Sequence, residues 1–565
     1  MRSRSHSLAQ LFRPMLLSRL AAGYNFSHFV KDLISGSTVG VVALPLAMAF
    51  AIASGCTPER GLFTAIVAGF IISALGGSRF QIGGPTGAFV VIVAGIIARH
   101  GYEGLVVATL MAGILLIVMG FCGLGKLLKF IPYPVTTGFT TGIALLIFTT
   151  QIKDLLGLHL PNLSADFLPK ISELAAAAPS ADFNAMLIAA LTLGTIFCTR
   201  KLLPRFPSHI AGVLVATVAA YAAGINVETI GTKFGGIPAE LPTFVAPQHL
   251  ADLIVVMIPD AITIALLAAI ESLLSAVVAD GMTGDHHHSS TELIAQGLAN
   301  VASSLFGGIP ATGAIARTAT NIRAGAFSPV SGIVHAIVLG LFIKFFAPIA
   351  SAIPLASLAG VLTFVAWDMS ELPKFLHILR APKSDASVMV GTFLLTVLVD
   401  LTVGVQFGVV LAALLLVGRI SDATKFKNWE KTTATSITHT PSWNNEVEVY
   451  EINGPFFFGC ADRFSQTFSL MRKPRVIIFR MRHVHTIDAT AMHALELVLL
   501  QLQQQNIRVI FSGVDPIIHR HMIRFGLGAI IDTSDICSSF GEAWSLAQSV
   551  VHPDSPAQSV DPAMA

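Results

Sequence analysis

Two breaker-rich runs hold the residue types best suited to chemistry in this chain. Gly307-Gly308-Ile309-Pro310-Ala311-Thr312-Gly313-Ala314-Ile315-Ala316-Arg317-Thr318-Ala319-Thr320-Asn321 places small residues, then Arg and Thr at helical spacing, in very apolar surroundings. Gly83-Gly84-Pro85-Thr86-Gly87-Ala88-Phe89 repeats the Pro, Thr, Gly, Ala vocabulary far upstream. Each run reads as a helix that starts inside a membrane and aims its unpaired first-turn N–H groups at something negative. A helix N-terminus contributes roughly half a positive charge, so two facing tips hold about one unit of fixed positive potential where screening is weak. Gly84, Gly87 and Gly313 allow close backbone approach, Pro85 and Pro310 end the preceding segments, and Thr86 or Thr312 could donate a hydroxyl. The plainer alternative is two ordinary membrane-helix starts, because Gly and Pro are common in such helices.

Two ionisable residues add to this pattern. Arg317 lies at i+4 from Gly313, on the same helix face, where it would strengthen the positive field, pair with a carboxylate, or snorkel to an interface. Glu271, in Ala268-Ala269-Ile270-Glu271-Ser272-Leu273-Leu274-Ser275, is read as the carboxylate deepest inside a span. Low-dielectric surroundings disfavour its charge, which makes it a candidate proton carrier, and a proton there would favour an anion nearby. The structural alternative is a Glu271–Arg317 salt bridge that locks two helices. Pro45 is expected to break or kink the first span, and His286, His287 and His288 read as a solvated loop instead of a metal site. No nucleophile–base pair, phosphate loop or metal set is present, so an enzyme is not expected, and no cofactor or metal is called for.

The elements that position these residues follow from composition. Of 565 residues, 53% are hydrophobic and 12% charged, beyond an ordinary soluble composition. A net charge of +2 with dispersed basic residues argues against nucleic acid, and five cysteines without ligand spacing indicate neither a disulfide framework nor zinc. Apolar segments suggest about fourteen spans, several too short to cross alone. They are placed at 34–53, 60–76, 85–98, 104–123, 134–152, 183–199 and 208–223, then 254–279, 291–306, 312–325, 329–350, 355–368, 385–401 and 403–420. Loops expected on the cytoplasmic side collect Arg79; Lys126 and Lys129; Arg200, Lys201 and Arg205; Arg323; Lys374, Arg380 and Lys383; and Arg419. Both termini are therefore expected in the cytoplasm. The Pro-Thr-Gly-Ala element is third in each set of seven, as an inverted repeat requires.

Beyond the spans the pattern becomes soluble α/β. Strands are predicted at 447–452, 476–481 and 507–512, with helices at 489–505, 516–525 and 540–549. The expected organisation is a cytoplasmic segment 1–31, a membrane domain 32–422, a linker 423–445, an α/β domain 446–552 and a disordered tail 553–565.

The first span, Gly36-Ser37-Thr38-Val39-Gly40-Val41-Val42-Ala43-Leu44-Pro45-Leu46-Ala47-Met48-Ala49, the Gly83 to Phe89 run, Glu271 to Ser275 and Pro310 to Asn321 together resemble the sulfate-permease (SulP) anion transporters, and the soluble tail resembles their STAS domain. The resemblance implies a seven-plus-seven inverted repeat, a core domain that carries substrate past a gate domain, and a homodimer. It carries the anion site over to Pro85, Thr86, Gly87, Gly313, Ala314 and Ala316. Glu271 matches the Asp of sodium-coupled bicarbonate members, and Ser275 the hydroxyl residue that follows it; Glu, as in proton-coupled members, favours protons over sodium. Thr486-Ile487-Asp488-Ala489-Thr490-Ala491-Met492 is similar to the Asp-Ser-Ser/Thr-Gly loop of anti-sigma-factor antagonists, with Thr490 at their phosphorylated position. Because Ala491 replaces the Gly, Asp488 and Thr490 are read as helix-start residues.

The resulting expectation is a proton-coupled secondary transporter of sulfate, bicarbonate or a C4 dicarboxylate in an inner membrane, working by elevator-like movement. Its rivals are a sodium-coupled bicarbonate transporter, a nucleobase permease and a membrane anion sensor that signals through its STAS domain.

Overall fold

The computed structural model describes residues 13–125, 132–160, 163–164, 166–203, 207–247, 250–428, 446–469 and 474–553. It forms two compact units that meet at Val410/Leu411. The expected loop positives Lys126, Lys129 and Arg205 lie outside the described residues, as do Glu430 and Lys431 of the expected linker and the tail from residue 554 on.

The first unit is helical. Its main helices are α1 Phe26–Ala53, α2 Pro58–Leu75, α3 Gly87–Phe121, α4 Tyr133–Leu155, α5 Phe183–Leu202, α6 Ser208–Ala222, α7 Ile258–Thr283, α8 Ser289–Leu305, α9 Ile315–Arg323, α10 Val330–Ala350, α11 Leu355–Met369, α12 Lys383–Leu398 and α13 Leu401–Ala423, the last running across the unit boundary. Among the described residues, nine helices are long and apolar enough to cross a membrane. Two short strands, β1 Gly83–Gly84 and β2 Thr312–Gly313, interrupt this helical order just ahead of α3 and α9.

The expected spans 85–98 and 104–123 both lie in α3, as two helical stretches joined by a kink at Gly101, whose non-helical φ of 66° and ψ of −173° are open to glycine and costly for other residues. Pro45 does not break α1: the helix runs through it, and Pro45 is buried. Helix α9 is nine residues long, about 14 Å, half of a bilayer's hydrocarbon thickness. The helices pack as two groups. α1, α2, α3, α8 and α10 interlock, with α7 on α3 and α9 on α7; α4 holds α11 and α12, while α5 packs on α6 and α11.

In the second unit β3 Lys425–Asn428, β4 Val447–Asn453, β5 Val476–His483, β6 Arg508–Ser512 and β7 Ile536–Cys537 form one sheet in that spatial order, antiparallel between β3 and β4 and parallel elsewhere. Helices α14 Phe458–Ser469, α15 Ala489–Gln504, α16 Pro516–Phe525 and α17 Phe540–Val551 complete it. The predicted strands and helices recur within a few residues; β3, α14 and β7 are additional. Lys425 and Lys427, placed by the sequence in the expected linker 423–445, stand in β3. Asp488 caps α15 by accepting from Ala491 N at 2.8 Å and also holds Phe458 N at 2.9 Å, while Thr490 is exposed.

Candidate functional site

The two breaker runs cross. β1 and β2 pair antiparallel, with Gly83 opposite Gly313 and Gly84 opposite Thr312. Ala314 N donates to Ile82 O at 2.8 Å, and Ile82 N to Thr318 Oγ1 at 3.1 Å. α3 and α9 therefore start on either side of one crossing. Their N-cap residues, Thr86 and Ala314, make no side-chain cap hydrogen bond; Phe89 N donates to Thr86 O at 3.3 Å, which leaves the N–H groups of Gly87, Ala88, Ile315 and Ala316 for another partner. Around these tips nearly every residue is buried, including Pro85, Gly87, Gly313 and Ala314; Thr86, Ile315 and Ala316 retain accessible surface. A Cβ on Gly87 would meet Ile147 of α4, Met369 of α11 and Phe50 of α1 within 3.2 Å, so an apolar wall lies close to the α3 tip.

Glu271, on α7, comes directly to this opening. Thr86 Oγ1 donates to Glu271 Oε2 at 2.9 Å, and Glu271 keeps some accessible surface. It stands in the middle of α7, whereas Asp32 and Glu292, which are more completely buried, lie near the starts of α1 and α8. Ser275, one turn along α7, is buried and donates to Thr318 Oγ1 at 3.2 Å, which ties α7 to α9 without reaching the opening.

Arg317 is 3% exposed, and its Nη2 donates to Pro85 O. Its Nη1 has no hydrogen-bond partner. A Cβ on Gly84, whose φ is 151°, would stand 2.6 Å from that nitrogen, so glycine is needed there for both backbone and space. The Glu271–Arg317 salt bridge weighed from sequence is not formed, because the carboxylate faces Thr86 and the guanidinium the Pro85 carbonyl. The two threonine hydroxyls expected to face a ligand are both engaged: Thr86 on Glu271, and Thr312 on Ala268 O at 3.0 Å.

The polar groups behind the crossing were missed from sequence. Glu292, Gln296 and Asn300 of α8 recur every fourth residue, which puts them on one face of the helix; that stripe was the available signal. Glu292 accepts from Gly77 N, Ser78 N, Gln81 Nε2 and Gln296 Nε2 at 2.9–3.1 Å. Asn300 clasps the Ala311 backbone, accepting from its N at 2.9 Å and donating to its O at 2.8 Å.

The histidine run is not simply a solvated loop. His287 tucks in, its Nδ1 2.7 Å from Asp280 Oδ2 and its Nε2 3.0 Å from Ser289 Oγ, while His286 and His288 are exposed.

Residues 29–392 match the sulfate permease family, and residues 443–543 the STAS domain. The chain belongs to the sulfate permease family. This family member is 45% identical over 495 residues to the putative sulfate transporter YvdB of Bacillus subtilis, covering 87% of this chain and 93% of that one. It is 32% identical over 505 residues to the bicarbonate transporter BicA of a Picosynechococcus strain, covering 84% and 86%. Its fold matches that of murine Solute Carrier 26 family member A9, an anion transporter, with a TM-score of 0.83 over 97% of this chain and 96% of that one, at 18% identity. The family is one of anion transporters and not of enzymes, and this member is a multi-pass membrane protein with a C-terminal α/β STAS domain.

Proposed function

We propose that this anion transporter is a proton-coupled symporter that holds its substrate on the first-turn N–H groups of α3 and α9 and carries a proton on Glu271. The observation that carries this reading is the β1/β2 crossing, which sets two uncapped helix N-termini beside one opening where Glu271 is also accessible. With both threonine hydroxyls engaged, backbone amides, helix dipoles and the buried Arg317 guanidinium supply the attraction. Such a site selects charge and size, which fits sulfate, bicarbonate or a C4 dicarboxylate; the transporters named among its relatives favour the first two.

Glu271 and Thr86 form the coupling element. While Glu271 is ionised, its charge repels an anion and holds the Thr86 hydroxyl. A proton on it removes one negative charge at the opening, so proton and anion each favour binding of the other. Movement then takes place between the two helix groups. The closest backbone approaches lie inside the groups, as where a Cβ on Gly36 of α1 would fall 2.2 Å from Ser331 O of α10, or one on Gly138 of α4 2.3 Å from Met389 O of α12. Across the groups, the atoms of α4 and α11 nearest to a Cβ on Gly87 belong to the side chains of Ile147 and Met369. Close backbone packing inside the groups, with side-chain contacts at the α3 tip between them, supports an elevator-like shift. The distribution of Lys and Arg between the spans favours an inner membrane with both termini in the cytoplasm.

The test is uptake of labelled sulfate, bicarbonate and fumarate into proteoliposomes, with pH and sodium gradients imposed separately. Wild-type uptake is expected to rise as the external pH falls. Glu271→Gln is expected to fold and to lose pH-driven uptake; pH-driven flux unchanged in this variant would remove Glu271 from the coupling, and flux driven by sodium alone would favour a sodium symporter.

A further inference from the structure

We infer that Glu292 and Gln81 are positioning residues for the anion site: the Glu292 carboxylate, acting through the Gln81 amide, fixes the β1/β2 crossing and its register with Glu271. This rests on the proposed anion site but assigns residues that neither touch the opening nor carry its proton.

Glu292 is 0% exposed, and all four of its partners are donors, the surroundings of an ionised carboxylate. Among the described residues no ion pair involves it. A buried charge without a cation costs several kcal/mol, and apolar packing would join two helices at lower cost. What the charge supplies is direction, since charge-assisted hydrogen bonds are short and about twice as strong as neutral ones. One oxygen takes the backbone N–H groups of Gly77 and Ser78, which fixes the loop entering β1; the other takes Gln81 and Gln296.

Gln81 passes this placement on to three elements. It precedes β1 by two residues. Its Nε2 also donates to Ser272 O at 3.2 Å, the carbonyl that follows Glu271 on α7. Its amide lies against β2 as well: a Cβ on Gly313 would come within 2.0 Å of that nitrogen. One side chain thus meets the strand leading to the α3 tip, the strand leading to the α9 tip and the turn bearing the coupling carboxylate, and Glu292 holds it there.

Gln81→Met keeps the bulk under Gly313 and removes both donations. Glu292→Gln sets an amide N–H against the donors of Gln81 and Gln296, so Gln81 has to rotate its unpartnered Oε1 inward and leave Ser272 O. In proteoliposomes supplied with whichever of labelled sulfate, bicarbonate or fumarate the wild type takes up, each variant is expected to raise the anion KM about tenfold, with Vmax within about twofold and the pH profile unchanged. A wild-type KM in Gln81→Met would overturn the inference, and this variant decides alone if Glu292→Gln does not fold. Loss of pH-driven uptake with intact anion counterflow in Glu292→Gln would also overturn it, since Glu292 would then carry a proton. Lack of uptake of all three anions by the wild type would instead overturn the proposed function itself.

Discussion

The loops that deliver β1 and β2 do the same work with opposite chemistry. Residues 77–82 are held mainly by charge, through the Glu292 carboxylate on Gly77, Ser78 and Gln81, and through Arg79 on Asp285 at 2.8 Å and Phe327 O at 2.6 Å. Residues 307–311 are held mainly by neutral groups. Ile309 N donates to Thr64 Oγ1 at 2.7 Å, Ile309 O accepts from Ser303 Oγ at 2.7 Å, Gly308 O accepts from Tyr102 OH at 2.8 Å, and Asn300 clasps Ala311; the charge at this loop, Arg60, touches Gly307 O at the rim. Helix α8 serves both loops, through Glu292 for the first and through Asn300 and Ser303 for the second, which α2 (Thr64) and α3 (Tyr102) also hold. A site made of backbone needs its backbone fixed, and α8 fixes both approaches to it, one with a carboxylate and one with neutral groups.

The neutral clamp should give the largest effect when broken. Asn300→Leu keeps the side-chain volume but leaves the buried N–H and C=O of Ala311 unpaired, at roughly 2–5 kcal/mol. A thermal unfolding midpoint well below wild type, together with lost uptake, is expected. An unchanged midpoint would mean that the second loop does not depend on Asn300.

A smaller effect separates the two strands themselves. A Cβ on Gly313 would meet the Gln81 amide nitrogen at 2.0 Å and its carbon at 2.6 Å, whereas one on Gly83 would meet the mobile end of Ile72 at 2.2 Å. Gly313→Ala therefore displaces a hydrogen-bonded amide, at about 1–3 kcal/mol, while Gly83→Ala asks the Ile72 side chain to turn its Cδ1 away and to give slightly at Cβ and Cγ1, and should cost less. Measured side by side for stability and anion KM, the first should exceed the second in both. The reverse order would show that Gln81 yields freely and that the charged clamp is loose.

This contrast also explains what the sequence could tell. The Pro85-Thr86-Gly87 and Thr312-Gly313-Ala314 breakers reveal the tips because Gly and Pro act locally on the backbone. Glu271 and Arg317 stand out as ionisable groups in apolar spans. The partners of their side chains did not stand out, because Thr86 and Glu271 are 185 residues apart and their hydrogen bond follows from how α3 and α7 pack. Glu292, Gln296 and Asn300 do form a visible stripe, but only the folded loops show that its acceptors and donors are aimed at backbone. In the second unit β4, β5 and β6 were legible as apolar runs, while β3, only four residues rich in Lys and Asn, depends on pairing with β4 for its existence.

The smallest expected effect lies at the outer layer of the charged clamp, where pH can probe it. Asp285, in the loop between α7 and α8, receives Arg79 at 2.8 Å and Arg19 at 2.7 Å. Burial pushes its carboxyl pKa up, but the Arg79 hydrogen bond and the charges of Arg19 and Arg79 outweigh this and hold it below the usual Asp value. A carboxyl held low in the folded protein stabilises it above the ordinary Asp pKa, about 3.9, and that contribution fades as pH falls through the lower folded value. Both partners are partly exposed, so Asp285→Asn should cost about 1 kcal/mol or less at neutral pH, and less still in high salt. The difference in unfolding midpoint between variant and wild type should shrink as pH is lowered toward 3, near the range where the carboxyl takes up its proton. A difference that stayed constant across this range would mean that Arg79 is held by Phe327 O alone, and that the first loop owes its charge-based fixing to Glu292.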